Sequence, residues 1–408
     1  MLAGILLSVT ILHSTTALAD VRDQAKRVYD RIAGVPPSEA ELTMMANQLG
    51  ASPSEEAFIQ AAMQYPMANK YFYNVTLKNW ITPWTNEEQT VFAPLNDFTA
   101  TAIGLIRDND DFRSVLSADV LYVSPTQVTV DGVEHNFSAY SNSNNNHYQE
   151  LEDSGVPLNE VLVRRTQSEV TGLPSDATAG VMTTRAAAKA FFVAGTNRAM
   201  LRFTLMNFLC NDMEQFRDTS RPTDRIRQDV TRSPGGDSRI YLNTCVSCHS
   251  GMDPLAQAFA YYNWTGEEGT ENGELEYTAG TVQDKYHINS GNFKWGYVTP
   301  NNQWVNYWRK GPNATWVGWK NLSGAGYQTD ENGPYASGDG AKSLGQELAE
   351  TRLFAQCQAR KVFKTVCLRE PGDTADHNVI DAMITDFDSN DGNLKRLFGK
   401  AAYYCRGE

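Results

Sequence analysis

The chain has 408 residues, of which 41% are hydrophobic and 20% are charged, so it is neither disordered nor fibrous. Its length predicts two or three domains. The formal net charge of -13 argues against a nucleic-acid-binding protein, because such proteins present a basic surface. Within the chain, no stretch of the sequence approaches the roughly 18 apolar residues of a transmembrane segment.

The N-terminus carries the pattern of an export signal. Residues Leu2 to Leu12 form a short apolar run, and the small-x-small sequence Ala17-Leu18-Ala19 follows it. This pattern predicts a secretory signal peptide over residues 1–19, with a buried N-terminal helix as the alternative. We therefore expect an exported mature chain.

Residues 20–123 are predicted to form an N-terminal helical domain. An amphipathic stretch spans Asp23 to Ala33. Ser38 begins a second helix that runs through Leu49, and Glu41 stands at the spacing of a capping box. Ser54 begins a third helix, and residues 96–106 form a fourth.

Residues 124–180 are predicted to be an irregular linker, with short alternating pieces at Gln127 to Val133 and a polar loop at Ser141 to Asn146. Helical periodicity returns over Thr184 to Asn211. Residues 212–239 carry six arginines among acidic residues, and we expect a solvated mixed-charge loop there. One or two of these arginines could pair with carboxylates of a cofactor.

Residues 264–340 hold six of the eight tryptophans together with many glycines, and are predicted to be a loop-rich, partly β insertion. Clustered aromatic residues are typical of core packing; recognition of a carbohydrate or partner is the alternative. Residues 341–408 are predicted to be a helical C-terminal segment, with helices over Ser343 to Cys367 and His377 to Phe387.

The sequence Cys245-Val246-Ser247-Cys248-His249 is the attachment signature of haem c. On one helical turn the two thiols face the same side and can add to the two vinyl groups of one porphyrin. His249 then lies under the iron as its proximal ligand. A redox dithiol, a zinc site or a structural disulfide are the alternatives, but no βαβ pattern precedes Cys245 and no second close Cys/His pair exists.

The sixth ligand of the iron is left open. No Met occurs between Met252 and Met383, and Met252 follows His249 too closely to cross the ring. His287 is the best downstream candidate for a second metal ligand. The other candidates are methionines, whose alternative role is core packing: Met182, Met200, Met206, Met213 and Met383. An open or water-ligated iron is the remaining possibility.

Four further cysteines stand outside the motif, and disulfides persist in exported proteins. Cys357 and Cys367 lie ten residues apart in one helical pattern, about 15 Å along a helix, which is too far for a bridge between them. Each is therefore expected to pair with one of Cys210 and Cys405, in an order that the sequence leaves open. Four buried free thiols are the alternative.

Several segments together resemble the planctomycete-type cytochrome c-like family of exported bacterial proteins. The residues that carry the resemblance are Gly180 to Thr183, Asn197-Arg198, Leu209-Cys210, Cys245 to His249 followed by Met252 to Leu255, Ala258-Phe259, Leu344-Gly345, Phe354-Ala355, Cys357 and Lys361 to Phe363. Arg31, Gly34 to Pro37 and Glu41 are similar more loosely. The chain departs from the family at Tyr261 to Trp264 and in the Trp-rich region.

The resemblance implies a periplasmic protein with one covalent haem c, bound by residues 181–263 and used for electron transfer or for oxidation of an extracytoplasmic substrate. The predicted fold is mainly α: a helical N-terminal domain and a cytochrome c-like helical domain with a Trp-rich β/loop insertion. The leading function is one-electron exchange with another exported redox protein. The alternatives are a haem enzyme with an open distal site, and a haem-containing binding or assembly protein. The oligomeric state is left open.

Overall fold

The computed structural model describes residues 20–193, 195–230, 238–267, 270–287, 294–320, 326–330 and 333–407. Helix accounts for 54% and strand for 9% of the structure, so the chain is mainly helical, as predicted. The predicted signal peptide lies outside the described residues. Among the helices that are described, none has the length and apolar character needed to cross a membrane.

Five helices make up the N-terminal part of the chain. They are α1 (Val21–Ala33), α2 (Glu39–Leu49), α3 (Glu55–Gln64), α4 (Lys78–Ile81) and α5 (Asp97–Arg107). A π-helical turn, Phe72–Leu77, leads into α4. The predicted helix starts are confirmed, because the side chains of Ser38, Ser54 and Asn96 each accept a hydrogen bond from a backbone N–H in the first turn. Ser38 and Glu41 form the predicted capping box.

The region that follows contains short elements where the sequence predicted an irregular linker. The strands are β1 (Leu121–Val123), β2 (Gln127–Val130), β3 (Val133–Asn136) and β4 (Val163–Arg165). Strand β1 pairs with β4, and β2 pairs with β3, both antiparallel. Three short helices accompany them: α6 (Asn146–Ser154), α7 (Leu158–Val161) and α8 (Gln167–Thr171). Only the β2–β3 hairpin matches the alternating pattern seen in the sequence.

The helical periodicity over 184–211 is divided between two helices, α9 (Arg185–Phe191) and α10 (Arg198–Leu209). The predicted helical character is confirmed, with a break between the two helices that the periodicity does not indicate. Asn197 adopts the left-handed conformation with φ 58°, and its side-chain amide donates to the carbonyl oxygens of Phe259 and Tyr262. These buried tertiary hydrogen bonds offset the local helix preference and fix the direction of α10.

The haem-attachment sequence lies on a helix. Short helix α11 (Ser238–Ile240) continues through the π-helical turn Tyr241–Cys245 into α12 (Val246–Ala256). Beyond it come α13 (Pro312–Val317) and the strands β5 (Tyr262–Trp264), β6 (Leu275–Tyr277), β7 (Gln303–Asn306), β8 (Gly326–Asp330) and β9 (Gly333–Asp339). Strand β5 pairs with β6, and the remaining three form a sheet in the order β7-β9-β8. All these pairs are antiparallel.

Trp304 and Trp308, in and just after β7, are buried in the core, which favours the packing interpretation of the Trp-rich region. Trp295 differs from them, because 82% of its surface is exposed. The predicted β/loop character of residues 264–340 agrees with the strands described there.

Four helices close the chain: α14 (Gly340–Ala349), α15 (Arg352–Cys367), α16 (Thr374–Ser389) and α17 (Leu394–Tyr404). The predicted helical section over 343–367 is confirmed and consists of two helices, α14 and α15. Thr351 interrupts it with an extended backbone and caps α15 by accepting from the N–H of Phe354. Single 3-10 turns lie at Thr82–Thr85, Phe112–Leu116, Gly180–Thr183, Gln257–Phe259, Asp284–Tyr286 and Tyr307–Arg309.

One hydrophobic core joins the two ends of the chain, with members from Ala25 to Ala402. Helix α17 packs on α3, and α1 contacts both α15 and α17. Two disulfides reinforce the C-terminal helices: Cys210 is bonded to Cys357, and Cys367 to Cys405. This is one of the two pairings that the sequence left open.

Candidate functional site

The two thiols of the C-x-x-C-H sequence stand at the start of α12. Cys245 ends the π-helical turn and Cys248 lies in the first turn of the helix. Both are partly exposed and free, whereas the other four cysteines are bonded in pairs. Burial raises the pKa of the Cys248 thiol, and its Sγ is 3.6 Å from the carbonyl oxygen of Met213. The pair is therefore available for covalent chemistry, with Cys248 in its thiol form.

His249 is held by one ring nitrogen. Its Nδ1 lies 3.0 Å from Oδ1 of Asp253, four residues later on the same face of α12. A carboxylate can only accept this hydrogen bond, so Nδ1 carries a proton and Nε2 is the ring nitrogen that can offer a lone pair to a metal. The Tyr241 ring packs beside the imidazole, with ring centroids 5.8 Å apart. Together these contacts leave Nε2 as the nitrogen that can bind a metal.

Asp253 is only 1% exposed and is the centre of a buried ionic network. Arg198, the first residue of α10, donates to both carboxylate oxygens, from Nε at 2.7 Å and from Nη2 at 3.2 Å. The backbone N–H of Arg227 lies 3.3 Å from Oδ2. Asp229 bonds the other side of the Arg198 guanidinium at 2.8 and 3.1 Å. The carboxylate that holds His249 is thus itself fixed in place.

The charges of this network support one another. Burial alone would raise the pKa of Asp253, but the positive charge of Arg198, with His249 and Arg227, holds it well below its usual range. Burial opposes the charge of Arg198 as well, yet Asp253 and Asp229 raise its pKa. Asp253 therefore remains an anion next to the ring of His249.

Residues 212–230 wrap around the motif helix. The N–H of Asp218 donates to the carbonyl oxygen of Ser247 at 2.9 Å, and the Ser250 hydroxyl donates to the carbonyl oxygen of Asp218 at 3.1 Å. Asp218 and Arg227 are buried, with 4% and 1% of their surfaces exposed. The predicted solvated loop is therefore wrong for this part, because its charges are paired inside the protein: Asp218 with Arg221, and Arg227 with Asp229.

The opposite face of α12 makes close contact with the Trp-rich region. A Cβ on Gly251 would lie 2.1 Å from Nε1 of Trp308, so only glycine fits there. The Trp308 indole in turn stacks on Phe216 at 4.7 Å between ring centroids. Packing on this face fixes the helix, while the side chains of His249 and of Cys245, just before the helix, remain partly exposed.

These residues fit haem c by the chemistry of their donor set. The two cysteines left free are those of the attachment sequence. Nδ1 of His249 is engaged by Asp253, which directs the free Nε2 away from that carboxylate. Residues Cys245 and Cys248 would hold the porphyrin and His249 would hold its iron.

His287, the predicted second metal ligand, follows the 3-10 turn Asp284–Tyr286 and is exposed. Its neighbour Tyr286 packs against the Arg227 guanidinium, 4.6 Å from the ring centroid. This puts Tyr286 on the Arg227 side of the network. The role of His287 stays a prediction.

The five methionines considered as ligands belong to the hydrophobic core, either buried in it or packed against it: Met182, Met200, Met206, Met213 and Met383. Met213 lies beside the motif through its carbonyl contact with Cys248. Core packing accounts for the burial of the others.

Sequence patterns alone do not assign a role to Arg198, Asp229 or Asp253. Arg198 and Asp253 lie within the segments that resemble a cytochrome family. The i, i+4 spacing of His249 and Asp253 is a signal that could have revealed their contact. The approach of Arg198 and Asp229 depends on chain segments far apart in sequence.

Comparisons with known proteins do not identify a function for this site. No family model, no curated protein and no solved structure matches the chain. The resemblance to the planctomycete-type cytochrome c-like family therefore stays a prediction.

Proposed function

We propose that the protein is an exported c-type cytochrome that carries one covalent haem and exchanges single electrons with another exported redox protein. The observation that supports this most directly is the pair of free thiols on one helical turn, next to a histidine whose Nδ1 is tied to a buried carboxylate. When bound, haem c supplies an iron that changes its charge by one electron.

The chain's own residues have separate tasks in this proposal. Cys245 and Cys248 attach the cofactor, and His249 presents Nε2 to the metal. Asp253 and Arg198 keep the imidazole in place. The chain contains a single C-x-x-C-H sequence, so an electron that arrives must leave to a different molecule. This is why a redox partner is part of the proposal.

Two further features support an exported location. Disulfides such as Cys210–Cys357 and Cys367–Cys405 persist in oxidising compartments. The pattern of the first 19 residues, which predicts a signal peptide, agrees with the same compartment. We propose the bacterial periplasm.

The test is an optical spectrum of the oxidised and reduced protein, produced in a host that attaches haem c. We expect haem bands that remain with the chain after denaturation and acid-acetone extraction. The double variant Cys245→Ala, Cys248→Ala is expected to lose the covalent bands. The matched control Ser247→Ala, which changes one of the two residues between the thiols, is expected to keep them. A wild-type protein without any haem band would contradict the proposal.

The same spectra distinguish electron transfer from catalysis. Low-spin bands in both oxidation states favour a six-coordinate electron carrier. High-spin bands with ready binding of cyanide or carbon monoxide favour the alternative, an enzyme with an open iron acting on a small extracytoplasmic substrate.

A further inference from the structure

The hydrogen bond between His249 and Asp253 is not needed to attach a cofactor, so it calls for a separate explanation. A neutral backbone carbonyl would suffice to orient an imidazole. Here the acceptor is a carboxylate that is completely enclosed, with the side chain of Asp253 0% exposed and its Oδ1 3.0 Å from Nδ1 of His249. Inside a protein, water does not screen such a charge as it does at the surface.

The geometry of the network shows that this carboxylate is held as an anion in one orientation. Arg198 reaches both oxygens of Asp253 and also both oxygens of Asp229, so one guanidinium joins two carboxylates. The backbone N–H of Arg227 adds another donor to Asp253. Arg198 and the Arg227 N–H donate to the Asp253 carboxylate and hold its orientation, in which Oδ1 accepts a hydrogen bond from Nδ1–H of His249.

We propose that Asp253 is a positioning residue that fixes the Nδ1–H tautomer of His249 and gives the imidazole partial imidazolate character, so that the reduction potential of the bound iron is lowered. This inference rests on the proposed function. A more basic imidazole is a better donor to the oxidised metal, and its outer hydrogen bond is a recognised means of changing metal affinity and potential. Asp253 acts through His249 and does not itself touch the cofactor.

The test compares reduction potentials of haem-loaded variants that differ by the same charge. Asp253→Asn is expected to favour the reduced form by about tenfold at a fixed ambient potential, equivalent to about 59 mV for a one-electron couple. Asp229→Asn removes the same charge from the same Arg198 network without contacting His249, so it is the matched control. We expect it to change the ratio by less than about threefold. Asp253→Glu, which keeps the anion, is expected to have a reduction potential close to that of the wild type.

A second readout does not need haem. In the variant Cys245→Ala, Cys248→Ala, which keeps Asp253, ¹⁵N NMR is expected to show the proton of His249 on Nδ1. If that proton is on Nε2, the inference is wrong. Equal potentials for Asp253→Asn and Asp229→Asn would also overturn it. Should wild-type protein carry no haem, the proposed function fails by itself, and the NMR measurement still decides the position of the proton. If Asp253→Asn does not fold, the NMR measurement on the cysteine variant still tests the position of the His249 proton.

Discussion

At the scale of single residues, the structure separates two kinds of buried charge. Asp253, Arg198 and Asp229 are partners in one network, and each compensates the cost of burying the others. Lys361 is half-buried, and no described residue supplies a carboxylate partner for it. Its Nζ donates to the carbonyl oxygen of Asn207 and lies 3.9 Å from the centroid of the Trp84 ring. Burial lowers its pKa to about 7.

This difference predicts how stability depends on pH near Lys361. Between pH 7 and about 10.5, the unfolded chain keeps the proton on Lys361 and the folded chain has released it. The unfolded state then binds more protons, so this residue makes the free energy of unfolding rise with pH. Below pH 7 both states are protonated, and the charged amine keeps its full cost of burial.

Lys361→Met keeps an unbranched side chain against Trp84 and removes the titrating amine. We expect the free energy of unfolding of wild type, measured relative to that of the variant, to increase from pH 7 to pH 9. Urea unfolding at both pH values measures this difference. Lys364→Met, on the same helix and exposed, is the control and should leave the pH dependence unchanged. Parallel pH profiles for wild type and Lys361→Met would contradict the prediction.

At the scale of elements, the motif helix α12 is positioned by what packs around it. Gly251 admits the Trp308 indole, and the segment that contains Asp218 and Arg227 covers the helix with paired charges. Arg198, the first residue of α10, donates to Asp253, the carboxylate that holds His249. The geometry of the site therefore depends on three separate elements as well as on the motif.

Helix α10 is in turn fixed to the C-terminal helices by a disulfide. Cys210, at its end, is bonded to Cys357 in α15 over a sequence separation of 147 residues. Cys367 and Cys405 join the ends of α15 and α17 over 38 residues. A bridge restricts the unfolded chain more when it closes a longer loop.

We predict that Cys210→Ala with Cys357→Ala lowers the free energy of unfolding by about 2–5 kcal/mol. The pair Cys367→Ala with Cys405→Ala should cost about 1 kcal/mol less, because its loop is shorter. Urea unfolding of both double variants measures this. A non-reducing peptide map of the wild type should show these two bridges. Four free thiols in the denatured, non-reduced protein would contradict the pairing, and unchanged stability would contradict the expected contribution.

At the scale of the whole molecule, the ends of the chain share one core. The ring of Phe398 in α17 makes edge contacts with two N-terminal residues, Phe72 at 5.2 Å and Trp80 at 5.7 Å between centroids. Arg396, next to them, pairs with Glu56 of α3. A core of this kind predicts that the first and last helices unfold together.

Phe398→Ala is expected to lower the stability of the whole protein by about 3–5 kcal/mol, because Phe398 is 0% exposed and its removal leaves a cavity. The matched control is Phe92→Ala, at a ring that is 91% exposed, which should change stability by no more than about 0.5 kcal/mol. Calorimetry should show a single transition that moves to lower temperature in the first variant. Two transitions, of which only one moves, would show that the terminal helices unfold independently.

The sequence predicted well wherever a local rule decides the outcome. Ser38, Ser54 and Asn96 begin helices because each side chain caps the backbone beside it, and that interaction needs only neighbouring residues. The attachment sequence is local in the same sense, since Cys245, Cys248 and His249 lie within about one helical turn. The general mainly helical class followed from such patterns summed along the chain.

Tertiary structure decided the features that depend on distant partners. The break at Asn197 results from hydrogen bonds to Phe259 and Tyr262, which no local periodicity contains. The charged segment after Asp212 is partly buried because Arg227 and Asp218 find partners there. By itself the sequence determined which thiols and which histidine could hold a haem. Only the folded chain brought Arg198 and Asp229 to the carboxylate behind that histidine, because compensation of buried charge requires groups that meet in space.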